Sequence, residues 1–150
     1  MHLGHLPRVP LAVRPTPLQE APRLSAYLDG PRILIKRDDL TGLALGGNKA
    51  RKLEFLLGEA RARGADAVIT VGAPQSNHAR MTAAACRLLG LEAYLVLGGD
   101  PPEEVQGNLL LDHLFGAEVR LIQSTDDYIL MGVVEDLARE IGRASCRERV

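Results

Sequence analysis

The chain has 150 residues, 46% of them apolar, with a formal charge of -1, a balance that fits a soluble globular protein of one domain or parts of two and excludes long disorder. With no basic stripe interleaved with aromatics, that charge argues against a nucleic-acid partner and favours a small uncharged or zwitterionic one. Cys86 and Cys146 are too few and too far apart for a disulfide framework, no Cys/His group has zinc spacing, and no run approaches the ~20 apolar residues of a membrane helix. Prolines interrupt "MHLGHLPRVPLAV" where a signal peptide needs a continuous apolar run, so a cytoplasmic protein with no metal and no membrane partner is expected.

In chain order, the first thirty residues read as a proline-rich extended arm with a short helix over residues 24–28. "RILIK" (32–36) is a strand, and "RDDLTGLALGGN" is a loop with turn chemistry in which "KRDDL" holds the segment before the glycines. From residue 49 the pattern is regular. A helix over 49–63 closed by Gly64 is followed by the strand "AVITV", the loop "GAPQ" and a helix over 77–89 closed by Gly90. The unit recurs as the strand "AYLVL", the loop "GGDPPEE", a helix over 105–115 closed by Gly116 and the strand "EVRLI". A last helix over 127–141, capped by Thr125 or Asp126, carries Leu130, Val133, Val134, Leu137 and Ile141 on one face. Helices that end in glycine before short β-rich runs predict an α/β fold with a parallel sheet covered by helices in three layers.

Two segments open helices beyond strands with chemically useful residues, "GGNK" and "GAPQSNH", and ligands of open α/β sheets bind at such places. Lys49 lies four residues before Leu53, on the apolar stripe of Leu53, Leu56, Leu57 and Ala60. A lysine there either snorkels to water or, with burial and the helix N-terminus both lowering its pKa, becomes a nucleophile fit for Schiff-base chemistry. Ser76 has two readings, a helix cap and a hydroxyl that, with Asn77, hydrogen-bonds a cofactor oxygen or a substrate carboxylate. His78, one turn into the same helix, is either structural or catalytic.

Together, "IKRDDLTGLALGGNKARKLE" and "VGAPQSNHAR" resemble the aminocyclopropane-carboxylate deaminase and D-cysteine desulfhydrase family of pyridoxal 5'-phosphate enzymes, over about residues 15–140. The resemblance implies a tryptophan synthase β-like fold. It makes Lys49 the lysine that carries the cofactor as a Schiff base and moves protons at the substrate α-carbon, and Asn77 the partner of the cofactor's phenolic oxygen. Ser76, Asn77 and His78 would line the substrate carboxylate pocket, with Ser76 also assisting the chemical step. Lys52 would approach the cofactor phosphate, and Asn48 and Gly47 would shape the turn.

The expected activity is that of a lyase or deaminase on a small amino acid, giving an α-keto acid and ammonia, in a homodimer. The phosphate loop and the partner of the pyridine nitrogen belong to a part of the family pattern with no counterpart here. Residues 1–53 are therefore expected to be an arm of the larger cofactor domain and residues 54–141 the smaller α/β domain. Residues 142–150 ("GRASCRERV") read as an atypical tail without apolar periodicity. A fragment, inactive on its own, is the expectation. The alternative is a non-catalytic α/β module that binds a nucleotide or a protein, although no G-x-G-x-x-G phosphate loop is present.

Overall fold

The computed structural model describes residues 3–142 and 144–148. The arm comes first. Strands β1 (Leu18–Glu20) and β2 (Leu34–Lys36) pair antiparallel around helix α1 (Pro22–Tyr27), so the "RILIK" segment finds its partner within the arm. Two short 3-10 turns, Asp38–Thr41 and Leu43–Leu45, then lead into helix α2 (Lys49–Ala62).

The remainder alternates strand and helix: β3 (Ala67–Gly72), α3 (Asn77–Leu89), β4 (Glu92–Gly98), α4 (Gly107–Leu114), β5 (Glu118–Ile122), α5 (Asp127–Ile141) and β6 (Ala144–Glu148). The four strands form one parallel sheet in the order β5-β4-β3-β6. Successive side chains of a strand point to opposite faces, and this alternation sorts the core into two layers. Val68, Ala93, Leu95 and Leu97 pack with residues of α2, α3 and α4, among them Leu53, Leu57, Ala83 and Leu109. Ile69 and Val96 pack instead against Leu130, Val134 and Leu137 of α5.

Local chemistry sets the helix ends. The Ser76 hydroxyl accepts the Ala79 N–H at 3.2 Å, and Gly90 closes α3 in the left-handed region. Asp126, rather than Thr125, caps α5, its Oδ1 accepting the Tyr128 and Ile129 amides. One expectation needs correction. Helix α4 starts at Gly107 and not at residue 105, because Gln106 is extended (φ -142°, ψ 172°) and Val105 is exposed, so that valine belongs to the loop. Within the segment that reads as an atypical tail, Ala144–Glu148 forms β6, parallel to β3 with a register irregularity between Ala67 and Val68. A strand added at a sheet edge is held by backbone hydrogen bonds, which no side-chain period announces.

No helix among the described residues is long and apolar enough to cross a membrane. Among the same residues no group of three or more His, Cys, Asp or Glu side chains could hold a metal ion.

Candidate functional site

The loop before Lys49 is built from strained backbone. Ala44 (φ 44°) and Leu45 (φ 70°) are non-glycine residues at positive φ, and Gly46 (φ 75°, ψ 174°) and Gly47 (φ 136°) follow directly. Non-glycine residues in this region cost about 1–3 kcal/mol each and persist only where the surroundings impose them. Those surroundings are polar. The Gly47 N–H donates to the Asp38 carbonyl (2.8 Å) and to the hydroxyl of buried Thr41 (2.9 Å), which in turn donates to the Asp38 and Gly47 carbonyls. Arg51, one turn into α2, grips the Asp38 carboxylate through Nε (2.7 Å) and Nη2 (2.6 Å) and donates to Thr16. That pairing holds the Asp38 carboxyl below the usual carboxylate range.

Gly46 is required by space and Gly47 is favoured by its backbone, at φ 136°. A Cβ at Gly46 would sit 1.9 Å from the Asp39 carbonyl oxygen, and one at Gly47 would press on Met81 Sδ at 3.3 Å. Gly46→Ala is expected to destabilise the chain by about 2–4 kcal/mol, from the clash and the glycine-only backbone region together. A urea midpoint within error of the parent's would refute this.

Lys49 is the first residue of α2 and is half-buried. The expectation of a lysine on the buried stripe is thus corrected in degree: Ala50, Leu53 and Leu57 are buried, but the stripe leaves the core at its N-terminal end. Asn48 is exposed at the cap position in helical conformation, without a side-chain capping bond, and Lys52 is half-buried on α2. At the mouth of α3, Ser76 is half-buried, Asn77 exposed and His78 buried.

Ser76 also lines a cleft of about 300 Å³ at the carboxyl ends of β3 and β4, with Gly72, Ala73, Gly98, Thr125 and Asp127. Gly72 admits the serine, since a Cβ there would lie 3.0 Å from its Oγ. Lys49, Lys52 and Asn77 are not among the walls of this cleft.

The two motifs meet through residues that sequence reasoning quoted without a role or did not notice. Arg80 is buried and donates from Nη2 to the Gly46 carbonyl (3.3 Å) and from Nη1 to Asn108 Oδ1 (2.7 Å). Asn108 Nδ2 donates to the Gln75 carbonyl (2.7 Å) and to Asn77 Oδ1 (3.1 Å), while the Asn108 N–H donates to Gln75 Oε1 (2.9 Å). One guanidinium therefore joins the turn before Lys49 to the start of α4, and Asn108 carries the link on to the "QSN" loop. Beside it, Asp112 is fully buried. Burial pushes its carboxyl up to about 7 despite the opposing pull of Arg80, and burial pushes the Arg80 guanidinium down. An arginine among "MTAAAC" and an asparagine directly after a glycine at a helix start were the available signals.

The donors and acceptors at these helix mouths suit one face of pyridoxal 5'-phosphate. A half-buried amine stands at one helix N-terminus, a hydroxyl and a carboxamide stand at the other, and no acceptor among the described residues meets Asn77 Nδ2.

Comparison with known proteins agrees with that chemistry. The family model described as pyridoxal-phosphate dependent enzyme matches residues 9–147. A putative 1-aminocyclopropane-1-carboxylate deaminase of Pyrococcus abyssi is 51% identical over 139 residues, 93% of this chain and 41% of that protein. A D-cysteine desulfhydrase of Salmonella paratyphi B is 48% identical over 131 residues, 84% of this chain and 40% of that protein. The crystal structure of an ACC deaminase homologue superposes with a TM-score of 0.86 at 50% identity, covering 95% of this chain and 44% of the other. The T.th. threonine deaminase superposes with a TM-score of 0.65 at 28% identity, covering 86% of this chain and 38% of the other. The chain spans about two-fifths of the length of the curated relatives it matches. With the lysine-bearing turn and the "SNH" helix mouth joined in a tryptophan synthase β-like α/β fold, this chain belongs to the pyridoxal-phosphate dependent enzyme family.

Proposed function

We propose that the chain is the lysine-bearing portion of a pyridoxal-phosphate dependent deaminase or desulfhydrase acting on a small amino acid, of the aminocyclopropane-carboxylate or D-cysteine type, with an α-keto acid and ammonia as products, and sulfide as well where the substrate is D-cysteine. The observation that carries this reading is the joining of two glycine-bearing helix mouths, one with Lys49 and one with Ser76 and Asn77, through Arg80. When bound, the cofactor supplies an electrophilic carbonyl and a ring that withdraws electrons from the substrate α-carbon.

The residues divide the remaining work. Lys49 provides the amine that holds the cofactor and the base that moves the α-carbon proton. Asn77 donates to the ring oxygen, and Lys52 provides positive charge for the phosphate. Ser76, Asn77 and His78 face the substrate carboxylate at the positive end of α3, with Ser76 assisting the chemical step, and Asn48 and Gly47 shape the turn that presents Lys49. In this reading residues 1–53 belong to the larger cofactor-binding unit and the sheet from Glu54 onward to the smaller one, in a cytoplasmic homodimer.

Besides its N-terminal amine the chain has three lysines, Lys36, Lys49 and Lys52, so peptide mapping can place a reductive tag on one of few amines. Lys36 Nζ already donates to the Thr16 carbonyl at 2.5 Å. After incubation with pyridoxal 5'-phosphate and borohydride reduction, peptide mapping is expected to find the added mass mainly on Lys49, and Lys49→Ala is expected to remove it. An even distribution over Lys36 and Lys52 would refute the assignment. Keto-acid release from D-cysteine and from aminocyclopropane carboxylate by the complete protein that contains this chain then distinguishes the two substrate types, and none is expected from the 150 residues alone.

A further inference from the structure

The side-chain amides between α3 and α4 have their orientations dictated by Arg80. A guanidinium carries donors only. Arg80 Nη1 lies 2.7 Å from the Asn108 carboxamide, so the atom facing it is Oδ1. The other end of that carboxamide is then the donor, and it meets the Gln75 carbonyl and the Asn77 side chain. Asn77 in turn presents Oδ1 to Asn108. Its own amino group is left facing away, with no acceptor among the described residues.

Gln75 is fixed by the same logic, its Oε1 on the Asn108 N–H and its Nε2 on the Gln106 carbonyl (3.1 Å). Gly107 permits that approach, since a Cβ there would come within 2.4 Å of Gln75 Oε1.

We infer that Arg80 and Asn108 are positioning residues that hold the Asn77 carboxamide with its amino group outward, making Asn77 a hydrogen-bond donor to the cofactor's ring oxygen; this rests on the cofactor reading above. A phenolate oxygen accepts hydrogen bonds and does not donate them. An unrestrained carboxamide at an exposed helix start turns over and offers its oxygen as well as its amino group, and oxygen facing oxygen repels. The buried guanidinium thus selects one of two orientations two hydrogen bonds away. It does so while holding the Gly46 carbonyl, three residues before Lys49.

The test uses the chain with 15N-labelled side-chain amides. In the parent, Asn108 NH2 protons are expected to exchange with water about tenfold more slowly than those of Asn77, because only the former are hydrogen-bonded. In Asn108→Asp the new carboxylate still accepts from Arg80 but has no donor for Asn77. The Asn77 amide is expected to turn over, with contacts appearing between its NH2 protons and the methylene of residue 108. In Arg80→Gln the residue facing Asn108 can donate or accept, and two sets of Asn77 signals are expected.

Added pyridoxal 5'-phosphate should move the Asn77 side-chain nitrogen signal in the parent and not in Asn108→Asp. Faster exchange at Asn108 than at Asn77 in the parent, a measurement that needs no variant to fold, overturns the inference. So do Asn77 signals unchanged in both variants with intact backbone spectra. Failure of Lys49 to take the reductive tag, with the amide orientations as described, overturns the cofactor reading and upholds the orientation relay.

Discussion

Replacing Glu54 by alanine is expected to lower the stability of the chain by about 3–5 kcal/mol, the cost of breaking a buried ionic cluster by removing one partner. The carboxylate is fully buried on α2. It accepts from Arg8 through Nε at 2.9 Å and through Nη2, and from the Leu11 and Ala12 amides at 3.1 and 3.0 Å, with Arg14 Nε at 3.6 Å. The Glu54 carbonyl also takes the Val9 N–H. Ala50, Glu54 and Gly58 form a second stripe of α2, against which the arm lies: a Cβ at Gly58 would meet the Pro7 carbonyl oxygen at 2.5 Å. With alanine at 54, two amides and a guanidinium lose their acceptor and the arm loses its anchor.

Burial alone would push the Glu54 carboxyl up, but the Ala12 amide, the Arg8 guanidinium and the Leu11 amide together hold it below the usual range. Its folded pKa is therefore depressed. The contribution is present above the unfolded value of about 4.3 and is lost as pH falls through the folded pKa. Glu54→Gln should accordingly flatten acid unfolding below about pH 4. Urea titrations of parent and alanine variant check the main effect, and a difference under about 0.5 kcal/mol would refute the clamp.

The places of Lys49, Ser76 and Asn77 at the starts of α2 and α3 were legible because the features that mark them are local. A glycine pair requires a special turn, a serine three residues before an amide caps a helix, and an apolar period places the lysine on its face. Glu54 was hidden because its partners lie 40 to 46 residues away, on an arm whose prolines indicate extension but not contact. By periodicity alone a glutamate beside Leu53 is assigned to solvent. Asp112 and Arg80 were hidden for a related reason: each sits on an apolar helix face, and only the packing of α3 on α4 shows that the two face each other. Strand β6 escaped because a strand joining by its backbone needs no apolar alternation. What the sequence withheld was long-range polar pairing, and the link between the two motifs is made of it.

Asp112→Asn is expected to stabilise the chain at pH 8 and to leave it no more stable, or less stable, at pH 4. Neither carboxyl oxygen meets a hydrogen-bond donor of the described residues, and burial raises the folded pKa to about 7. Between the unfolded value of about 3.9 and about 7, the folded chain keeps a proton at this site that the unfolded chain has released. Stability therefore falls as pH rises through that window, by at most about 1.4 kcal/mol per pH unit and roughly 4 kcal/mol in all. An asparagine does not titrate and removes this loss, but its buried amide costs about 1–3 kcal/mol if unpaired. The net gain at pH 8 is then about 1–3 kcal/mol. The window lies above that of Glu54, whose contribution changes below about pH 4.3 with the opposite sign, so the two residues separate in one pH series. Thermal or urea unfolding of parent and variant from pH 4 to 8 measures the difference directly. A parent whose stability follows the same slope as the variant between about pH 5 and 7.5 would show that Asp112 is charged in the folded chain throughout. Arg80 would then be held between that carboxylate and the Gly46 carbonyl.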